Sequence, residues 1–141
     1  MSAAADTGAK RDEKLAEHRQ SDPGASEALA RRIAALVDEK LGEEIVVLDV
    51  RELVGYTDFL VIATARNERL AKAIHDDVRE RLKKDDSLLP GRVEGERESR
   101  WVLLDYLDCV LHVFVPEARE HYRLEQLWGE APQLELPELA R

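Results

Sequence analysis

The chain has 141 residues, 44% of them hydrophobic and 36% charged, with 21 Lys+Arg against 30 Asp+Glu and a net charge of −9. That size and apolar share fit one folded domain and exclude a wholly disordered chain; no apolar run reaches the roughly 18–20 residues that a membrane-spanning helix needs. The acidic balance argues against direct nucleic-acid binding and for a basic partner or a neutral small molecule, and a single cysteine suits a reducing, cytoplasmic setting.

Residues 1–26 are expected to form a disordered or weakly ordered tail, with a folded domain over 27–137. The tail is rich in Ala, Asp, Gly, Ser and charged residues, and Leu15 is its only large aliphatic after Met1. Such a segment buries too little apolar surface to offset its ordering entropy. It lacks the apolar run of a signal peptide, and Asp6, Asp12 and Glu13 disfavour an organellar transit peptide.

Order is predicted to begin near Ser26, a candidate N-cap. Leu29, Ile33, Leu36, Val37 and Leu41 follow at helical spacing, and Gly42 supplies the stop. Residues 45–50 (Ile-Val-Val-Leu-Asp-Val) are short and β-branched, which predicts a buried strand. Gly55 marks a turn, and 58–64 is a second strand. The short link between the two favours antiparallel neighbours. Asn67 can cap a second helix, whose stripe of Leu70, Ile74, Val78 and Leu82 faces the core. Pro90-Gly91 sits in a loop over 85–92, and 92–94 is a short strand. Residues 99–104 and 109–115 are strand-like, and 105–108 reads as their hairpin connection. Pro116 stands where a first helical residue is tolerated. A helix over 117–128 follows, ended by Gly129 and Pro132, and the last residues form an extended tail. The order α-β-β-α-β-β-β-α predicts a mixed α/β (α+β) domain. Its five-stranded sheet is mostly antiparallel, with one parallel pair implied by the strand–helix–strand passage.

Catalytic and metal readings are weak. Cys109 and His112 are three apart on a strand, so they point to opposite faces and cannot share a metal or form a nucleophile pair. No metal, cofactor or catalytic residue is expected. A metal-dependent, nucleotidyltransferase-like nucleotide-binding enzyme is the alternative reading. It would want two carboxylates spaced two apart on one strand face, whereas Arg51 stands two after Asp49. No glycine-rich phosphate loop is present. Asp49, Asp58, Asp105 and Asp108 read as turn residues that accept backbone hydrogen bonds. His112 shares a strand face with Val110 and Phe114 and reads as a hydrogen-bonded core histidine.

The aromatics say more. All seven lie after residue 55, and Trp101, Tyr106, Phe114, Tyr122 and Trp128 cluster late in the chain. Trp101 should face away from Val102 and Leu104. Two readings stay open for it, a docking patch or a filled gap in the core. Tyr106 and Leu107 are placed at a hairpin tip, where large apolar groups have no packing reason to be, so they are expected to be exposed and to dock a partner.

Several segments carry a resemblance in order: Leu48-Asp49-Val50; the run from Thr57 to Ala63; Glu94-Gly95; Trp101-Val102-Leu103-Leu104-Asp105-Tyr106 with His112-Val113-Phe114; and the run from Arg119 to Trp128. The set resembles the ribosomal silencing factor family, also called the Iojap family. The resemblance implies a sheet-and-helix fold similar to nucleotidyltransferase domains, without transferase activity. It implies binding to the large ribosomal subunit through one basic ribosomal protein, L-fourteen, on the intersubunit face. It further implies a steric block to joining of the small subunit and so repression of translation when nutrients are short. Little direct nucleic-acid contact and no membrane are expected, for a monomer or weak homodimer. The partner surface carried over is Trp101, Leu104, Asp105, Tyr106 and Leu107, while Arg119 and Tyr122 fit a structural role instead. This chain departs from the family pattern at Leu107, commonly glycine, and at Ala65-Arg66, commonly a small-residue turn with glycine.

Overall fold

The computed structural model describes residues 24–139, together with residues 11, 13 and 14. The tail expected over 1–26 therefore lies almost wholly outside the described residues. Helix α1 spans Ala25–Glu39 and buries Ala30, Ile33, Ala34, Leu36 and Val37 along one stripe. Its N-cap is Gly24 and not Ser26, which lies buried inside the first turn. Starting two residues earlier puts a glycine at the cap, a position that glycine fills nearly as well as serine. Leu41 takes a left-handed φ of 69° and turns the chain out of the helix.

Strand β1 is Glu43–Asp49 and β2 is Phe59–Thr64, paired antiparallel with a bulge between Glu43 and Val46. The bulge, with Glu44 at φ 48°, lets the strand begin two residues before its β-branched run. Helix α2, Glu68–Asp86, is capped by the Asn67 side chain, whose Oδ1 accepts the Leu70 N–H at 2.9 Å. It buries Ile74, Val78 and Leu82, and Ala71 is fully buried beside a partly buried Leu70. Strands β3 (Arg92–Glu94), β4 (Trp101–Asp105) and β5 (Cys109–Phe114) complete the sheet.

The sheet order is β1-β2-β5-β4-β3. All neighbours are antiparallel except β2 and β5, which run parallel in a register of Phe59 on Cys109 through Thr64 on Phe114. Both central strands are buried on both faces, which explains their continuous apolar composition. Helices α1 and α2 cover one face over Val47, Phe59, Val61, Val102, Leu104, Cys109, Leu111 and Val113. The other face carries Leu48, Leu60, Ile62, Val110 and Phe114.

That second face is closed by the end of the chain. The helix predicted over 117–128 is broken: α3 is Pro116–Tyr122, α4 is Leu124–Leu127, and Arg123 between them has a left-handed φ of 47°. The break turns Leu124 and Trp128 onto the sheet and leaves Leu127 69% exposed. Arg119 holds α3 in place. Its buried guanidinium donates to the Glu44 carbonyl at 2.6 Å and to Thr64 Oγ1 at 2.8 Å, tying the helix to the β1 bulge. The extended C-terminal stretch pairs with the β1 edge: Asp49 N–H donates to the Pro132 carbonyl at 2.8 Å and Leu134 N–H to the Val47 carbonyl at 2.9 Å. An otherwise open sheet edge is thereby covered.

Candidate partner-binding site

Strand alternation on β4 divides the expected surface between the two faces of the sheet. Trp101, Leu103 and Asp105 pair with Phe114, His112 and Val110 of β5, and Trp101 and Leu103 pack on the face opposite α1 and α2. Leu104 is 1% exposed and Tyr106 5% exposed, both packed in the core beneath the helices. The expectation that Tyr106 stands exposed at the hairpin tip is thus corrected. The tip is two residues shorter than it reads, because Tyr106 N–H still bonds the Cys109 carbonyl at 2.9 Å. The ring therefore stays in the pleat and turns inward. Its hydroxyl is buried without a hydrogen-bond partner, and burial pushes it up to about 12, so it stays un-ionised.

Trp101 is half-buried, with part of its ring packed on the sheet and part left accessible. Its ring stacks on Phe114 with centroids 4.8 Å apart and meets Tyr122 at 4.6 Å. Its indole Nε1–H donates to His112 Nδ1 at 3.0 Å. Burial pulls His112 down to about 4, so at neutral pH the imidazole is uncharged, with Nδ1 accepting and the proton on Nε2. The indole is thus held at a fixed angle by three rings. A groove of about 670 Å³ opens beside it, bordered by Arg97, Arg100, Glu117, His121 and Tyr122.

At the other end of β4, Leu107 is half-buried and takes φ 73°. A leucine here carries strain that a glycine would avoid. The Asp105 side chain compensates: its Oδ1 accepts the Leu107 N–H at 2.9 Å. Thr57 Oγ1 donates to the Leu107 carbonyl at 2.8 Å and pins the turn from the β1–β2 loop. Asp105 itself is 4% exposed and receives a forked guanidinium from Arg11, with both N···O distances 2.9 Å. Around this pair lies a second groove of about 500 Å³, lined by Lys14, Leu89, Gly91, Arg92 and Leu107.

Trp101, Asp105 and Leu107 therefore lie along one strand and its turn, with Leu104 and Tyr106 as the packing beneath. Sequence reasoning missed Leu103, which lies half-buried between Trp101 and Asp105 on the same face. Period-two alternation from Trp101 was the signal that could have found it. Tyr56, 41% exposed beside the hairpin, and Arg11 carry no local signal, because only the fold brings them there.

The remaining candidates sit apart. Arg51 forks onto Asp49 at 3.0 and 2.7 Å and holds its carboxyl below the usual range. Asp49 also accepts the Arg51 N–H at 3.1 Å, the turn role expected of it. Cys109 lies in the helix-covered core, on the opposite face from His112, and burial pushes its thiol up. Among the described residues, no group of three or more His, Cys, Asp or Glu is placed to hold a metal ion. None of their helices is long and apolar enough to cross a membrane.

Comparison with known proteins identifies the family of the chain. Residues 23–141 match the family described as "Ribosomal silencing factor during starvation". The chain is 36% identical over 100 residues to the ribosomal silencing factor of Halalkalibacterium halodurans, covering 71% of this chain and 85% of that one. It is 37% identical over 117 residues to the chloroplastic Iojap protein of Arabidopsis thaliana, covering 82% of this chain and 48% of that longer one. A crystal structure of a Chromobacterium violaceum protein superimposes with a TM-score of 0.68 at 30% identity, over 72% of this chain and 85% of that one. The matched span takes in the whole sheet, both long helices and the Trp101 hairpin, and the chain belongs to the ribosomal silencing factor family.

Proposed function

We propose that this protein binds the large ribosomal subunit through ribosomal protein L-fourteen, blocks joining of the small subunit sterically, and so represses translation when nutrients are short. The observation that carries the reading is family membership across the entire described fold. The physical features fit it. A charge of −9 is drawn to a basic protein surface and repelled by exposed RNA. Charge of this kind speeds encounter and sets orientation, while a few well-held aromatics supply most of the affinity. Trp101 suits the second task, since its rotamer is set before binding by His112, Phe114 and Tyr122. Little entropy remains to be lost on docking.

We place the docking surface on Trp101, Leu103, Asp105 and Leu107, with Leu104 and Tyr106 supporting it from the core. Occupying a bridge surface is enough to keep the subunits apart, so no covalent chemistry is needed. The same reading puts the protein in the cytoplasm with the ribosomes, as a monomer or weak homodimer.

Co-sedimentation with isolated large subunits, with small subunits as the control, tests this. The wild type should pellet with the large subunit alone. Trp101→Ala should bind at least tenfold more weakly, the size expected when an interface anchor is truncated, while its circular dichroism still reports a folded domain. No pelleting with large subunits at micromolar protein would sink the proposal. A folded Trp101→Ala that pellets like wild type would move the surface elsewhere.

A further inference from the structure

Asp105 is a buried carboxylate whose only partner within the hairpin is the Leu107 N–H. A buried carboxylate is stable only with a compensating cation and further hydrogen bonds. Both come from one side chain far away in sequence. Arg11 Nη1 donates to Asp105 Oδ2 and Nη2 to Oδ1, each at 2.9 Å. Nη2 also reaches the Leu107 carbonyl at 3.4 Å, and Nε–H donates to the Tyr56 carbonyl. The guanidinium lies over the Tyr56 ring, 5.8 Å from its centroid.

Each acceptor matches one edge of a planar fork: a carboxylate on one edge, a carbonyl at each end and an aromatic face alongside. A lysine ammonium could satisfy only part of it. The acceptors come from two separate loops, so the receptor is a product of the fold and not of Arg11's own neighbourhood. It also lies on the surface placed above as the docking surface for a basic partner.

We propose that this hairpin receptor is built to take an arginine presented by the partner, and that Arg11 of the chain's own N-terminal segment occupies it until the partner displaces it. The inference rests on the docking surface proposed above and adds an internal competitor to it. Arg11 belongs to the same chain, so it competes intramolecularly, at an effective concentration set by the chain and not by free ligand. A free arginine ligand would have to outcompete that concentration, whereas a partner that also engages Trp101 can. A site filled by its own chain binds more weakly in proportion to the fraction of time it is closed. Closure for about 70–90% of the time raises the apparent Kd about three- to tenfold.

The test uses the full chain and two readouts. The first is the Arg11 Nε–H resonance by nuclear magnetic resonance. It should exchange slowly with water in the wild type, and fast in Asp105→Asn, which keeps an acceptor for Leu107 but loses the charge. The second is the affinity for isolated large subunits, where Arg11→Ala should bind about three- to tenfold more tightly than wild type. A fast-exchanging Arg11 Nε–H in the wild type overturns the proposal, because the receptor is then open. A protected Nε–H with equal affinities for wild type and Arg11→Ala overturns the competition while leaving the docking surface standing. A protected Nε–H with no binding by either protein removes the ribosomal reading, and the competition with it.

Discussion

His112 shows how one contact can set both a rotamer and a pH response. Its ring is buried between Trp101 and Phe114, and its Nδ1 takes the indole N–H, so the folded protein holds it neutral. Its folded value of about 4 lies below the ordinary 6.5, so the unfolded chain takes up a proton first as pH falls. Above pH 6.5 the group leaves stability unchanged. Between 6.5 and about 4 stability drops, and below that range the loss levels off, at about 3 kcal/mol for a shift of this size. Urea unfolding at pH 7.5, 5.5 and 4.5 should show that decline, and His112→Gln, which takes no proton, should flatten it. Equal acid sensitivity in both proteins would mean that the loss comes from other groups. Trp101 and His112 were both legible as candidates in the sequence. Their hydrogen bond was not, since it depends on the register that sets Leu103 against His112 and leaves Trp101 two pairs away on the same face.

Two backbone positions govern how the strands and helices present that surface. Gly95 has φ +79°, and a Cβ there would stand 1.9 Å from the Trp101 carbonyl oxygen. The turn leading into β4 therefore requires glycine, and Gly95→Ala should cost about 3 kcal/mol or more by strain and steric overlap. Arg123 is the opposite case. It holds φ 47° with an exposed side chain at the end of α3, where glycine carries no Cβ penalty. Arg123→Gly should stabilise the protein by about 0.5–1 kcal/mol. Thermal melts of the two variants should move Tm in opposite directions, and a shared direction would refute the backbone account. The break at Arg123 also marks a limit of pattern reading. Residues 117–128 carry helix-forming composition throughout, and the interruption arises because Arg119 anchors one half to the β1 bulge while Leu124 and Trp128 pack against the sheet.

The charge of −9 acts through the molecule's field more than through any one pair. Several surface pairs, such as Arg32 with Asp85 and Asp86, join helices α1 and α2 and contribute little each at this exposure. Toward a basic partner the field should appear in kinetics. Raising salt from about 50 to 300 mM should slow association with large subunits about tenfold and change dissociation much less, because screening weakens steering before it weakens packed contacts. Stopped-flow or surface-binding kinetics can separate the two rates. A salt dependence carried mainly by dissociation would point to an interface held by ion pairs and not by Trp101.

Apolar periodicity and turn residues indicated the elements from the first helix through β5 and a helical C-terminal segment. The strand–helix–strand passage implied the parallel pair, and the ordered motifs between Leu48 and Trp128 carried the family resemblance. Alternation alone also separated Cys109 from His112 and Trp101 from Leu104. What only the tertiary structure decided is which side chains meet from afar. It turned Tyr106 into the core, laid the C-terminal stretch along β1, broke the last helix at Arg123, and brought Arg11 and Tyr56 to Asp105. Those outcomes turn on burying apolar surface and satisfying a buried carboxylate across long chain separations, and local sequence holds no record of them.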